Sequence, residues 1–90
     1  MNKGDLINKV AEDANISKSQ ATEAVNCVIS TIGEALVDGD KVQLVGFGTF
    51  STSFRKARTG RNPKTGESLE IAAKTVVKFK PGKELSSSVN

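Results

Sequence analysis

The fold is decided by residues 41–66, which read KVQLVGFGTFSTSFRKARTGRNPKTG. Apolar and polar residues alternate over 41–44 and again over 50–54, and this period of two is typical of half-buried β-strands. Gly46-Phe47-Gly48 lies between the two runs. It predicts a tight reversal rather than a nucleotide-binding loop, because no helix follows and the rest of a phosphate-binding fingerprint is missing. The two runs are therefore predicted to be neighbouring strands.

The second part of this stretch predicts a basic arm. Residues 55–66 contain five bases and no acid, and they end in Asn62–Gly66, a segment dense in turn-forming residues. Residues 67–74 alternate again, so we predict a long hairpin over 55–74 with its tip at that segment. A lone hairpin is marginally stable in water, and we expect this one to be mobile until a partner binds it.

Two helices are predicted before the strands. Apolar residues recur at helical spacing over 3–14, and Asn2 and Asp5 are placed to cap that helix. Ser17 and Gln20 have the spacing of a capping box and start the second helix. Its apolar stripe runs from Ala21 to Leu36 and is wide for a single helix, which makes a second copy of the chain a natural lid.

The chain ends in a third strand and a short helix. Gly39 is placed to end the second helix, before the strands begin. After the arm, residues 76–79 return to the core, and Pro81-Gly82 breaks the strand. Lys83–Val89 is predicted to form a last helix held by Leu85 and Val89.

Charge is divided unevenly along the chain. Residues 1–40 carry three lysines and seven acids, a net charge of −4, whereas residues 41–90 carry ten bases and three acids, a net charge of +7. These sum to the overall charge of +3. A basic half beside an acidic half indicates a polyanionic partner that contacts one part of the molecule. Ninety residues also allow only a thin core, which favours dimerisation.

The composition argues against an enzyme. The chain has no histidine, and its single cysteine, Cys27, falls within the second predicted helix, where we expect it to be buried. Pairs of carboxylates fall at exposed helix ends, where a solvated surface is the expected role. We predict no catalytic residue, no metal site and no cofactor. Without a signal-like or membrane-spanning segment, we expect a cytoplasmic protein.

The basic run is the informative feature, although a solvated loop is its simplest interpretation. Arginine outnumbers lysine three to two in it, and arginine suits phosphate contacts and narrow grooves. A flexible ribbon that contacts mainly phosphates predicts weak sequence discrimination. Lys3 and Lys83 each start a predicted helix, where a phosphate could dock, but chance placement explains them equally well.

Three segments carry a resemblance to a known family: Gly46–Phe50, Arg55–Pro63 and Phe79–Lys83. They resemble the bacterial histone-like HU proteins and the related integration host factor, and the resemblance covers the chain from Met1 to Asn90. It implies an α+β fold: an intertwined homodimer with a helical base and three-stranded antiparallel sheets that extend into β-ribbon arms.

The resemblance also implies how one HU-like DNA-binding domain, 1–90, is divided. Residues 1–40 are the helical dimerisation part and 83–90 the C-terminal helix; 41–54 and 75–82 are the sheet core, and 55–74 are the arm. The predicted dimer core consists of Val25, Val28, Ile29, Ile32, Leu36, Leu44, Phe47, Phe50 and Phe79.

The function that the resemblance implies is architectural. Such proteins bind duplex DNA through its minor groove with little sequence specificity, bend and compact it, and stabilise the DNA of the bacterial nucleoid. The proline that matches Pro63 inserts between base pairs, and nicked, kinked or bent DNA is expected to be preferred. The predicted DNA-binding residues are Lys3, Lys18, Arg55, Arg58, Arg61, Asn62, Pro63, Lys64 and Lys83.

Three alternatives remain open. A subunit like integration host factor would prefer particular sequences and would need a different partner chain. A structural module could use the basic arm to bind an acidic protein. RNA is a secondary possibility, although the arm has no stacking aromatic residue beyond Phe54 at its base.

Overall fold

The computed structural model describes all residues from Met1 to Asn90. The chain forms two compact units, Met1–Ala35 and Leu36–Asn90. The predicted α+β class and the order of elements are confirmed. The elements are α1 (Lys3–Ala14), α2 (Lys18–Val37), β1 (Val42–Leu44), β2 (Gly48–Arg55), β3 (Arg58–Arg61), β4 (Ser68–Ile71), β5 (Lys74–Pro81) and α3 (Lys83–Ser88).

Both long helices begin at the predicted caps. The Oδ1 atom of Asn2 accepts a hydrogen bond of 2.9 Å from the amide of Asp5, whose carboxylate accepts one of 3.0 Å from the amide of Asn2. Ser17 and Gln20 make the same reciprocal pair before α2, with both bonds at 3.0 Å. Each pair satisfies two amides that have no partner within the helix, so the local sequence fixes where both helices start.

The ends of these helices also follow the sequence. Asn15 stops α1 in the left-handed conformation, at φ 55°. Gly39 follows α2 at φ +82°, and its amide donates to the carbonyl of Leu36 over 3.1 Å. Both positions need a residue that tolerates positive φ, and asparagine and glycine do so most readily.

The core of the first unit is thin. Only Ile7, Ala21 and Val25 are buried there, and Val10, Ala11 and Ile16 pack around them. Much of the apolar stripe of α2 stays uncovered: Val28 is 57% exposed and Ile29 is 51% exposed. These two side chains help to line a groove of about 270 Å³, whose other lining residues are Leu6, Val10, Ala24 and Val25.

Cys27 is exposed, so the prediction that it is buried was wrong. A residue on an α-helix is rotated by about 100° from the one before it, which places Cys27 about 200° around the helix from the buried Val25. The thiol therefore lies on the polar side of α2.

The three-stranded sheet has the order β1-β2-β5, and all its pairs are antiparallel. The predicted reversal between β1 and β2 is confirmed: the amide of Phe47 donates to the carbonyl of Leu44 over 3.0 Å, and Gly46 has φ +85°. Gly48 starts β2 opposite Pro81, and a Cβ atom at this glycine would lie 2.5 Å from the Cζ atom of Phe79. Phe47, Phe50 and Phe79 can pack together only because Gly48 has no side chain.

The predicted hairpin over 55–74 forms, but it is interrupted. The β2–β5 ladder ends at the pair Arg55↔Lys74, and the β3–β4 ladder begins at Arg58↔Ile71. The register is the same on both sides, since 55 + 74 and 58 + 71 both equal 129. Residues 56, 57, 72 and 73 belong to no strand, and no backbone hydrogen bond outside the ladders joins them. Three of these four are alanines, which contribute little cross-strand packing.

The C-terminal segment differs from the prediction at its end. The amide of Gly82 donates to the carbonyl of Phe47 over 2.8 Å, and α3 follows. Leu85 is partly buried, but α3 ends at Ser88 and Val89 is exposed, so Val89 does not hold the helix. None of the helices has both the length and the apolar character that crossing a membrane requires.

Candidate nucleic-acid interface

The tip of the ribbon, formed by β3, β4 and the turn between them, is a well-defined turn. The amide of Asn62 donates to the carbonyl of Glu67, and the amide of Gly66 donates to the carbonyl of Asn62, each over 2.8 Å. The Oδ1 atom of Asn62 accepts a third bond, of 2.9 Å, from the amide of Lys64. Asn62 thus closes the turn from both its backbone and its side chain, and Pro63 is held within it, exposed to solvent.

The bases of the ribbon have no acidic partner. The single salt bridge of the structure joins Lys9 to Asp13 over 3.2 Å, within α1. The arm contains Glu67 and Glu70, but neither lies within 4.0 Å of a basic nitrogen. All five bases between residues 55 and 66 are exposed as well. Their charge is therefore available to an external anion.

Four bases gather where the ladder is interrupted. Arg55, Lys56, Arg58 and Lys74 line one small pocket together with Ile71 and Ala72. Like charges that share a site repel one another, and a phosphate placed among them would relieve that repulsion. The interruption is thus a site of concentrated positive charge within the ribbon.

The sheet carries further bases that the sequence analysis did not assign to the site. Lys78 pairs with Ser51 and Lys80 pairs with Thr49, while Arg55 pairs with Lys74. Because successive residues of a strand point to opposite faces, all four bases lie on one face of the β2–β5 ladder. The period of two in Lys78 and Lys80 is visible in the sequence, but only the register shows that they share a face with Arg55.

The three lysines predicted outside the ribbon each occupy the first residue of a helix. Lys3 begins α1 and Lys18 begins α2 in the first unit, and Lys83 begins α3 in the second. At α3 the N-cap residue is Gly82, which supplies no side-chain hydrogen bond to the helix amides. The amides of a first helical turn attract anions, so each of these lysines lies at a position that favours the binding of a phosphate.

Taken together, a small α+β chain carries a two-stranded basic ribbon with an exposed proline at its tip. This arrangement defines a class of protein in which an extended β-arm, rather than a pocket, forms the binding element. The model of the bacterial DNA-binding protein family matches residues 1–90. The chain belongs to that family.

Relatives of the chain match it over nearly its whole length. It is 57% identical over 89 residues to DNA-binding protein HU of Geobacillus stearothermophilus, with 99% of both chains covered. It is 51% identical over 90 residues to DNA-binding protein HU-beta of Escherichia coli strain K12, with 100% of both covered. Among solved structures, a cocrystal structure of Anabaena HU with DNA matches with a TM-score of 0.90 and 50% identity, covering 99% of this chain and 97% of that one.

Proposed function

We propose that this chain is a histone-like architectural protein that binds duplex DNA as a homodimer, bends it and compacts it. The observation that carries the proposal is the ribbon itself: its exposed arginines and lysines have no acidic partner, and Pro63 stands at its tip. Membership of a bacterial DNA-binding protein family and the match to an HU–DNA cocrystal structure support the same function.

The ribbon is proposed to follow the minor groove. Arg55, Arg58 and Arg61 contact phosphates and the groove walls, because a guanidinium group forms bidentate bonds to phosphate and enters narrow grooves readily. Asn62 and Lys64 contact DNA beside the tip. Most of these contacts are to the backbone, which carries no sequence information, and so we propose little sequence specificity.

Pro63 is proposed to act as a wedge between base pairs. Its ring is rigid and apolar, so inserting it costs the protein little conformational entropy. Unstacking a base step costs a few kcal/mol, which is regained through the additional contacts that bent DNA makes. DNA that is already nicked, kinked or bent avoids part of this cost and is expected to bind more tightly.

The remaining bases are proposed to contact the DNA backbone on either side of the bend. Lys3, Lys18 and Lys83 supply these contacts from the first turns of helices, and Lys78 and Lys80 supply them from the sheet. Each neutralised phosphate releases counterions, so binding is expected to weaken steeply with salt.

A second copy of the chain is proposed to cover the apolar surface that one chain leaves open. The groove on α2 is lined by apolar side chains only, and in the second unit Leu44, Phe47 and Phe79 remain exposed. Val25 already packs within its own chain. The proposed dimer core is Val25, Val28, Ile29, Ile32, Leu36, Leu44, Phe47, Phe50 and Phe79.

The parts of the chain are proposed to divide this work. The helical part, 1–40, dimerises; the sheet core, 41–54 and 75–82, supports the arm, 55–74; and residues 83–90 add a short helix that contacts DNA. The proposed activity is binding alone, without catalysis or a cofactor, and a protein with this activity associates with the bacterial nucleoid.

The test is a titration of the pure protein against intact duplex DNA, nicked duplex DNA and duplex RNA, each at two salt concentrations. We expect binding to both DNAs, tighter binding to the nicked one, and a steep loss of affinity at the higher salt. No salt-dependent binding to either DNA would refute the proposed function. Stronger binding to RNA than to both DNAs would make RNA the ligand instead.

A further inference from the structure

The two faces of the ribbon differ in chemistry. Residues that lie opposite each other in a ladder share a face, and successive residues of a strand alternate between the faces. One face of the β3–β4 ladder is mainly apolar and is named here the Leu69 face. It carries Arg58, Gly60, Leu69 and Ile71. The other face is polar and is named the Glu70 face. It carries Thr59, Arg61, Ser68 and Glu70.

The Leu69 face is low and smooth because Gly60 has no side chain. A Cβ atom at Gly60 would lie 3.2 Å from the Cδ1 atom of Ile71, so the side chain of Ile71 extends across the ribbon over β3. Ile71 is partly buried there, whereas Leu69 is 46% exposed. The face therefore presents a shallow apolar strip, formed by Leu69 and Ile71, and much of this strip stays open to solvent.

Glu70 determines which face of the ribbon fits a groove of DNA. Its carboxylate has no basic nitrogen within 4.0 Å, so no ion pair neutralises it. The minor groove presents the acceptor atoms N3 of adenine and O2 of thymine, and rows of phosphates border it. An ionised carboxylate only accepts hydrogen bonds and is repelled in such surroundings. The Leu69 face contains Arg58 and no acid, so it is the face that suits the groove.

The sugars that the apolar strip would contact differ between DNA and RNA. The C2′ carbon of deoxyribose carries only hydrogens and suits an apolar neighbour. The minor groove of duplex RNA displays a 2′-hydroxyl on each sugar instead. A hydroxyl covered by Leu69 would lose its hydrogen bonds with water and gain none in return, which disfavours RNA.

We propose that the Leu69 face turns into the minor groove, where Leu69 and Ile71 lie against deoxyribose, and that Leu69 selects DNA over RNA. The inference rests on the proposed binding of the ribbon in the minor groove, and it adds the face that binds and the residue that recognises the sugar. Arg58 enters the groove beside the apolar strip. Glu70 lies on the side away from the groove, and Arg61 is placed to contact phosphates at the rim.

The first test asks which face of the ribbon is covered by DNA. Cys27 is exposed and would react with a thiol reagent, so both variants are made in a Cys27→Ser background. Leu69→Cys and Glu70→Cys are matched neighbours on opposite faces of β4. Saturating intact duplex DNA should cause a loss of maleimide labelling at position 69 and leave the labelling rate at position 70 near that of the free protein. Equal protection of the two positions, or greater protection at position 70, would overturn the proposal.

The second test measures selection of the sugar. Leu69→Asn replaces an apolar side chain with a polar one of similar size, and Thr59→Asn is the matched control on the Glu70 face. The ratio of the affinities for DNA and RNA duplexes of the same sequence is measured for each protein. We expect Leu69→Asn to narrow the preference for DNA by about tenfold, because asparagine can form hydrogen bonds with a 2′-hydroxyl, and Thr59→Asn to keep the preference of the parent.

An unchanged preference in Leu69→Asn would overturn the proposed selection of the sugar, and so would an equal change in Thr59→Asn. The labelling test uses different variants and a different readout, so it stays decisive if Leu69→Asn disturbs the ribbon. A parent protein that binds neither DNA nor RNA would refute the proposed function itself, and that result is distinct from the others.

Discussion

Gly48 is the position where one added methyl group should do the most damage to the fold. The residue is buried at the start of β2, and a Cβ atom there would lie 2.5 Å and 2.6 Å from two ring carbons of Phe79 and 2.7 Å from the carbonyl oxygen of Lys80. Carbon atoms in van der Waals contact lie about 3.5 to 4.0 Å apart, so the two ring carbons would be too close by about 1 Å or more. The Lys80 oxygen belongs to the backbone of β5 and cannot rotate away.

The cost of Gly48→Ala can be worked from these contacts. Overpacking a filled site costs about 1 to 3 kcal/mol. If the ring of Phe79 moves away, its contacts with Phe47 and Phe50 are lost as well, at about 0.5 to 1.5 kcal/mol for each aromatic pair. The two costs sum to a destabilisation of about 2 to 6 kcal/mol, which lowers the thermal midpoint of a domain of this size by about 8 °C or more.

The assay is thermal unfolding followed by circular dichroism, with all proteins at one concentration because a dimer's midpoint depends on it. Gly33→Ala is the matched control. An added Cβ at Gly33 meets no atom within 4 Å, and alanine inside a helix is favoured over glycine by about 0.5 to 1 kcal/mol, so this variant should be slightly more stable than the parent. A Gly48→Ala midpoint less than about 4 °C below the parent's would correspond to less than about 1 kcal/mol, and it would show that the argument from close packing is wrong.

Three further predictions concern assembly and DNA. Diluting the protein about a hundredfold should lower its thermal midpoint, as mass action requires of a dimer, and a midpoint that stays constant would contradict the proposed homodimer. Arg58→Ala should reduce the slope of log affinity against log salt by about 1.8, because two copies each lose one phosphate contact worth about 0.9; Lys9→Ala, which removes the same charge from α1, should leave the slope unchanged. Pro63→Ala should reduce bending, measured as energy transfer between dyes on the duplex ends, and should narrow the preference for nicked DNA, while the loose electrostatic binding to intact duplex survives. Bending equal to the parent's at equal occupancy would leave Pro63 with a role in the turn only.

Much of the local structure could be predicted from the sequence because it depends on interactions between near neighbours. Hydrogen bonds between residues no more than five positions apart close the caps at Asn2 and Ser17 and the turn at Asn62–Gly66. Charge could be predicted as well, since the bases of the arm follow one another along the chain. The family resemblance then supplied the minor groove and the wedge, which the residues alone left open.

The expectation that Cys27 is buried rested on its residue type, and it was wrong because the position of Cys27 in the sequence places it away from the apolar stripe of α2. Another feature was missed because it depends on residues that are distant in sequence. The alignment of Lys78 and Lys80 with Arg55 depends on the β2–β5 register, which joins residues 19 to 33 positions apart.

The sequence by itself determined the elements, their order, the basic arm and the proline at its tip, because periodicity, capping and turn chemistry act over a few residues. Only the tertiary structure decided that the arm is interrupted between Arg55↔Lys74 and Arg58↔Ile71, that Gly48 leaves room for Phe79, and that Phe54 stays exposed. Each of these depends on which strand lies opposite and in what register. That pairing is set by packing over the whole sheet, and no short segment contains it.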